Sequence, residues 1–175
     1  MILSYHSNMK TITLIGMMGS GKSTIGKLLS ERLNIKNIDI DSLIEQNEKR
    51  EISNIFKDDG ERYFRKIEKE TIKSNFSDSN LIISLGGGAF EDILTRELLL
   101  KSSTVIYLKT SPKVVFERIK NNTNRPLLNN QMTIERIQAI ISKREKNYEL
   151  ANITILTDNK KPDRIVEEIL GVIKW

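Results

Sequence analysis

Cysteine is absent from all 175 residues. That removes disulfides, thiolate nucleophiles and cysteine-ligated zinc together, and it fits a cytoplasmic location. Histidine is nearly as scarce, its one copy being His6. A general base in the body of the chain is therefore expected to be a carboxylate, and histidine-ligated metal centres are not expected. No apolar run approaches the length of a membrane span, so no membrane partner is expected. Residues 1–8 lack the basic start and long apolar middle of a signal peptide. They read as a loose N-terminal extension, with Met9-Lys10 leading into a single domain over 9–175. Net charge is +5 and the pI is near 9.3, which suits phosphate-bearing ligands. The basic residues are interleaved with acids rather than gathered into a block, so nucleic acid is not an expected partner.

What is present begins with Gly16-Met17-Met18-Gly19-Ser20-Gly21-Lys22-Ser23-Thr24. The apolar run Thr11–Ile15 before it reads as a buried strand. The segment after it reads as a helix with Ile25, Leu28, Leu29 and Leu33 on one face. Strand, glycine-rich turn and helix are the context that a G-x-x-x-x-G-K-[ST] match needs to count as a phosphate-binding loop. The glycines let successive N–H groups point inward at the positive end of a helix, where an anion is favoured. Lys22 is expected to reach the outer phosphates and the Ser23 hydroxyl to hold Mg²⁺.

Further along, Lys36–Asp41 reads as a second strand ending in Asp39 and Asp41, with Ser42 as N-cap of a short helix. Glu51–Asn75 reads as helix broken near Asp58-Asp59-Gly60. Leu81–Leu85 is a third buried strand running into Gly86-Gly87-Gly88. Thr104–Leu108 is a fourth, and Ser111-Pro112 caps and starts the next helix. Residues 121–131 lose the helical period and are rich in asparagine, as expected of a mobile surface loop. Helix resumes from Thr133 to Glu149 with Ile134, Ile137, Ile140 and Ile141 on its core side. A strand at Ile153–Leu156 and a helix starting at Pro162 complete the chain. The alternation predicts an α/β fold: a three-layer α/β/α sandwich around a parallel sheet of five strands. In such sheets ligands bind beyond the carboxyl ends of the strands, where the phosphate loop, Asp39/Asp41 and the glycine triplet all fall.

The acceptor of a bound nucleotide's phosphoryl group is narrowed by two further absences. Strands three and four end without the aspartate that a hydrolytic NTPase uses near its activated water, and no guanine-specific Asn-Lys-x-Asp is present. A small-molecule kinase fits better, with Asp39 toward the metal side and Asp41 toward an acceptor hydroxyl. Arg65, between Glu61 and Glu68, reads either as part of an exposed ion-pair ladder or as a fork for a carboxylate or phosphate. Arg144, beside Lys143 and Glu145, reads likewise as a solvated helix residue or as such a fork. Arg125, before Pro126 in the asparagine-rich loop, suits a lid over about 121–131 that delivers positive charge to the transferring group.

Together the motifs resemble the shikimate kinase family, within the nucleoside-monophosphate-kinase-like group, from Met9 to about Ile173. The resemblance rests on Gly16–Thr24, Asp39-Ile40-Asp41, Ile55-Phe56 through Gly60-Glu61 to Phe64-Arg65-x-x-Glu68, Gly86-Gly87-Gly88, Arg125-Pro126-Leu127-Leu128 and Arg144-x-x-x-Tyr148. It implies transfer of the ATP γ-phosphoryl group to the 3-hydroxyl of shikimate, a step toward aromatic amino acids. It also implies a Mg²⁺ requirement. A monomer is expected. Carried over by position, Asp41, Lys22 and Arg125 would be catalytic. ATP would be held by Gly19, Ser20, Gly21, Lys22, Ser23, Thr24 and Arg125, with Arg118, Lys160 and Pro162 flanking adenine. Shikimate would meet Asp41, Arg65, Gly86, Gly87, Gly88 and Arg144, and the metal Ser23 and Asp39. The alternatives are a gluconate- or adenylate-kinase-like enzyme, or a non-catalytic nucleotide-binding module. The gluconate kinase pattern of Asp-Gly-Asp with a nearby histidine is not matched by Asp39-Ile40-Asp41.

Overall fold

In a computed structural model the described residues are 11–76, 80–120 and 133–173. The expected extension at 1–8, the expected lid at 121–131 and Arg125 lie outside them. Five strands, β1 (Thr11–Ile15), β2 (Lys36–Asp39), β3 (Leu81–Ser84), β4 (Ser103–Lys109) and β5 (Ile153–Leu156), form one sheet in the order β2-β3-β1-β4-β5. Every pairing is parallel. Parallel strands need crossovers, and helices supply them on both faces of the sheet.

The central strands are apolar on both faces because both are covered. Ile12, Leu14, Ile82, Ile106 and Leu108 point to one side, packing on Ile25 and Leu29 of α1 (Lys22–Leu33) and Ile165, Val166 and Ile169 of α8 (Pro162–Val172). Ile15, Ile83, Val105 and Tyr107 point to the other. There they meet α2 (Ile40–Glu48), α3 (Ile52–Asp58), α4 (Gly60–Asn75) and α5 (Ile93–Ser102). A third, smaller cluster joins Met17 of the phosphate loop to Val115 and Ile119 of α6 (Pro112–Ile119) and Ile137 and Ile141 of α7 (Ile134–Tyr148).

Three local expectations are corrected. The second strand stops at Asp39 rather than Asp41, and Asp39, not Ser42, is the N-cap of α2. Asp39 keeps an extended backbone while its Oδ1 accepts the Ser42 N–H at 3.1 Å. A carboxylate three residues before a free amide satisfies an orphan helix donor, so the chain turns helical at Ile40. Asp41 therefore stands in the first turn of a helix. Ile134, expected in the core, is 39% exposed at the first position of α7, and the buried stripe starts one turn later at Ile137. The expected break after Asp58 is present: Gly60 has φ +81, a conformation that side chains with a Cβ resist, and α4 begins there.

Candidate active site

The carboxyl ends of β1, β2 and β3 open into one cavity of about 810 Å³. Its floor is the phosphate loop. Gly16, Gly19 and Gly21 all take positive φ, so the backbone curls before α1 begins at Lys22. No side chain caps α1, and Gly19–Thr24, at the positive end of its dipole, line the cavity. Lys22 folds back over the loop, its Nζ donating to the carbonyls of Gly16 and Met17 at 3.0 Å each. The Ser23 hydroxyl donates to Asp39 Oδ2 at 2.5 Å, which brings the two expected metal ligands together.

At one end of the floor, Arg118 donates to the Gly19 carbonyl at 3.1 Å. Lys160, Pro162 and Ile165 line the same end, with Lys160 paired to Glu168 at 2.6 Å. At the other end stand Asp41, Arg65, Glu68, Gly86, Gly87, Gly88 and Arg144, beside the rings of Phe56 and Phe64. Four separate elements contribute these groups. Arg65 makes the ion pairs of its first sequence reading and also stands in the cavity wall. It pairs with Glu61 at 3.2 Å and Glu68 at 2.7 Å, as a helix ladder would, yet its guanidinium also lines the cavity. Arg144 donates to the Gly87 carbonyl at 2.9 Å, so the second arginine is tied to the glycine triplet.

Two of the glycines are closely approached by side chains of the cavity. A Cβ on Gly86 would sit 2.7 Å from both Asp41 Oδ1 and Glu68 Oε1, and one on Gly88 would sit 2.5 Å from Arg65 Nη2. Those distances also place Asp41 and Glu68 against a common point. Glu68 was not among the expected site residues. It is 2% exposed, and its Oε1 has no hydrogen-bond partner among the described residues. Burial pushes its carboxyl up to about 7, opposed by the Arg65 guanidinium; Asp41 pushes it further up and Arg144 down. Its place in the sequence carried a signal. Phe64, Glu68 and Ile72 fall on one helical stripe, so a carboxylate stands where a core residue belongs. Among the described residues, no group of three or more His, Asp or Glu side chains could hold a metal by itself.

Comparison with known proteins bears on this arrangement. Residues 18–174 match the family model for shikimate kinase. The chain belongs to the shikimate kinase family. It is 45% identical over 166 residues to a shikimate kinase from Sulfurihydrogenibium sp. (strain YO3AOP1), covering 95% of this chain and 99% of that one. A solved shikimate kinase from Acinetobacter baumannii, in complex with shikimate, superposes with a TM-score of 0.91 at 31% identity, covering 94% of this chain and 93% of the other. A gluconokinase from Sinorhizobium meliloti 1021 shares the fold at a TM-score of 0.59, with 18% identity over 93% of this chain and 90% of that one. The sequence-based expectations of a P-loop α/β fold and of shikimate kinase membership both hold.

Proposed function

We infer that this chain transfers the γ-phosphoryl group of ATP to the 3-hydroxyl of shikimate, giving shikimate 3-phosphate and ADP. The observation that carries the reading is the continuity of the cavity, which joins a phosphate loop to a carboxylate base and two arginines. A cavity of this size suits a nucleotide with a small acceptor beside it. ATP lies with its phosphates on the amides of Gly19–Thr24 and its base between Arg118 and the Lys160–Pro162 segment. Shikimate lies at the opposite end, its carboxylate on the Arg65 and Arg144 guanidiniums. Both arginines present N–H groups in a planar fork that matches a carboxylate.

The chemistry follows from that placement. Asp41, held in the first turn of α2, accepts the proton of the acceptor hydroxyl as that oxygen attacks the γ-phosphorus in line. Lys22 leaves its carbonyl partners to follow the charge that spreads over the transferring oxygens. Arg125 adds a second positive charge to the same group in this reading. Ser23 and Asp39 fit Mg²⁺, since one hydroxyl and one carboxylate are hard oxygen donors and this ion completes its shell with phosphates and water. Held by Ser23 and Asp39, the ion would supply positive charge to offset that of the phosphates. Glu68 grips Arg65 from behind and leaves its outer face to the substrate carboxylate.

The test is ADP release with Mg²⁺ and shikimate, gluconate, AMP or no acceptor. Turnover is expected with shikimate alone. Equal release without any acceptor would turn the reading into an ATPase, and preference for gluconate or AMP into a relative of another specificity.

A further inference from the structure

Gly87 stands between the two ends of the cavity. A Cβ placed on it would lie 3.3 Å from the Met18 amide nitrogen, 3.5 Å from the Gly16 carbonyl oxygen and 3.5 Å from Arg144 Nη1. Its peptide therefore borders the phosphate loop on one side and the arginine clamp on the other. The Gly87 carbonyl oxygen accepts two hydrogen bonds, one from Arg144 Nη1 and one from the Tyr148 hydroxyl. One turn of α7 thus holds this carbonyl twice. Between those residues Asn147 donates to Glu91 Oε1 at 3.0 Å, fixing the same helix to the turn that follows the glycines.

The Tyr148 side chain is itself immobilised. It is 1% exposed, and its ring meets that of Tyr107 on β4 with centroids 4.9 Å apart. Burial pushes the phenol up to about 12, so the hydroxyl stays a donor throughout the working range. A rigid neutral donor set into the core holds the direction of a backbone carbonyl, and hence of the amides on either side of it. Arg144 shares the acceptor, so its guanidinium is aligned by the same oxygen.

We propose that Tyr148 is a positioning residue for the acceptor: its hydroxyl fixes the Gly87 carbonyl, and through it sets the glycine-triplet amides and the Arg144 guanidinium against the bound acid. The proposal rests on the shikimate reading above. Tyr148 itself does not line the cavity, so its effect on substrate is indirect.

The experiment compares Tyr148→Phe with Tyr107→Phe and the unaltered protein, measuring both KM values, kcat and Tm. Phenylalanine keeps the ring against Tyr107 and removes one donor, while Arg144 still satisfies the carbonyl. Loss of one such hydrogen bond corresponds to roughly a three- to tenfold rise in KM for shikimate. KM for ATP and Tm should hold, and Tyr107→Phe, which alters the other ring of the pair, should leave the shikimate KM alone. An unchanged shikimate KM in Tyr148→Phe would overturn the proposal. So would a parallel rise in both KM values, an equal effect from Tyr107→Phe, or a variant that no longer folds, since each assigns the hydroxyl to general packing. If the unaltered protein gave no shikimate-dependent ADP, it is the functional reading that would fall, before any variant is made.

Discussion

The two ends of the cavity are built by different means. The phosphate end is one unbroken stretch of backbone, Gly16 to Thr24, held by three positive-φ glycines and by Lys22 bonded to the carbonyls of its own loop. The opposite end, proposed above to take the acceptor, has no such local frame. Asp41 comes from α2, Arg65 and Glu68 from α4, the glycines from the turn after β3 and Arg144 from α7. These groups are held by one another, through Arg65–Glu68, Arg65–Glu61 and Arg144–Gly87 contacts. A site made of amides and helix dipole is set once the loop folds and has little to titrate. A site made of paired charges can be tuned by single substitutions and by pH.

The sharpest way to separate the ends is Asp41→Asn. Asparagine keeps the shape of the side chain but cannot take the hydroxyl proton, and a positioned base contributes about 10²–10⁴-fold. Turnover should fall by that factor while ATP affinity, measured by titration without shikimate, stays where it was. Near-normal turnover would reduce Asp41 to a substrate contact.

Glu68 gives the next largest effect, through pH. Its folded carboxyl is raised from the usual range to about 7 by burial, against the pull of Arg65 and Arg144 and with a push from Asp41. Between about pH 4.5 and 7 the folded protein therefore holds a proton that the unfolded chain has released. Stability from this group is complete below that window and is lost as pH rises through it, up to a ceiling of about 3 kcal/mol. Urea unfolding across the window should show that decline, and Glu68→Gln should flatten it. The same slope in Glu68→Gln would place the titrating group elsewhere.

Arg65→Ala and Arg144→Ala follow. Each charge-assisted pair with a carboxylate is worth about 1.5–3 kcal/mol, or roughly 10- to 150-fold in KM for shikimate. KM is the parameter expected to move, because the substrate carboxylate is remote from the reacting hydroxyl. Lysine should rescue each only in part, lacking the planar fork. Wild-type KM in both variants, or weakened ATP binding instead, would remove the clamp.

The same division governs what the sequence made legible. The phosphate loop is contiguous, and its flanking strand and helix announce themselves by period, so Gly19–Thr24 could be placed from residues alone. The sheet was equally accessible, because strands buried on both faces read as continuous apolar runs. At the acceptor end, Arg65 and Arg144 sit among other charges, and local pattern left a solvated helix face open as a reading. Family resemblance, not periodicity, singled them out. The overlooked signal was register: Arg144 lies between Ile141 and Tyr148 on the buried stripe of α7, as Glu68 lies between Phe64 and Ile72 on α4. A charge in a core register needs a partner or a ligand. The start of α2 was misplaced for a different reason. Asp39 and Ser42 are both good caps, and only the fold shows which amide is free.

The smallest expected effect is the mirror image of the arginine clamp. Arg118 lies at the nucleotide end, exposed, with one hydrogen bond to the Gly19 carbonyl. It supports the loop from outside and, in the proposed reading, flanks adenine with its planar face. Solvent competes for an exposed hydrogen bond, so Arg118→Ala should cost no more than about 1 kcal/mol, or roughly two- to fivefold in KM for ATP. Shikimate KM should not move, because the hydrogen bond that Arg118 makes is to the phosphate loop at Gly19. Tm should hold as well, since most exposed substitutions stay within about 0.5 kcal/mol. Arg118→Lys should recover little of the loss if the contact is a stacked plane and nearly all of it if only charge matters. A rise in shikimate KM with ATP KM unchanged would show that the two ends are mechanically joined through the phosphate loop, and their separation as independent halves would have to be given up.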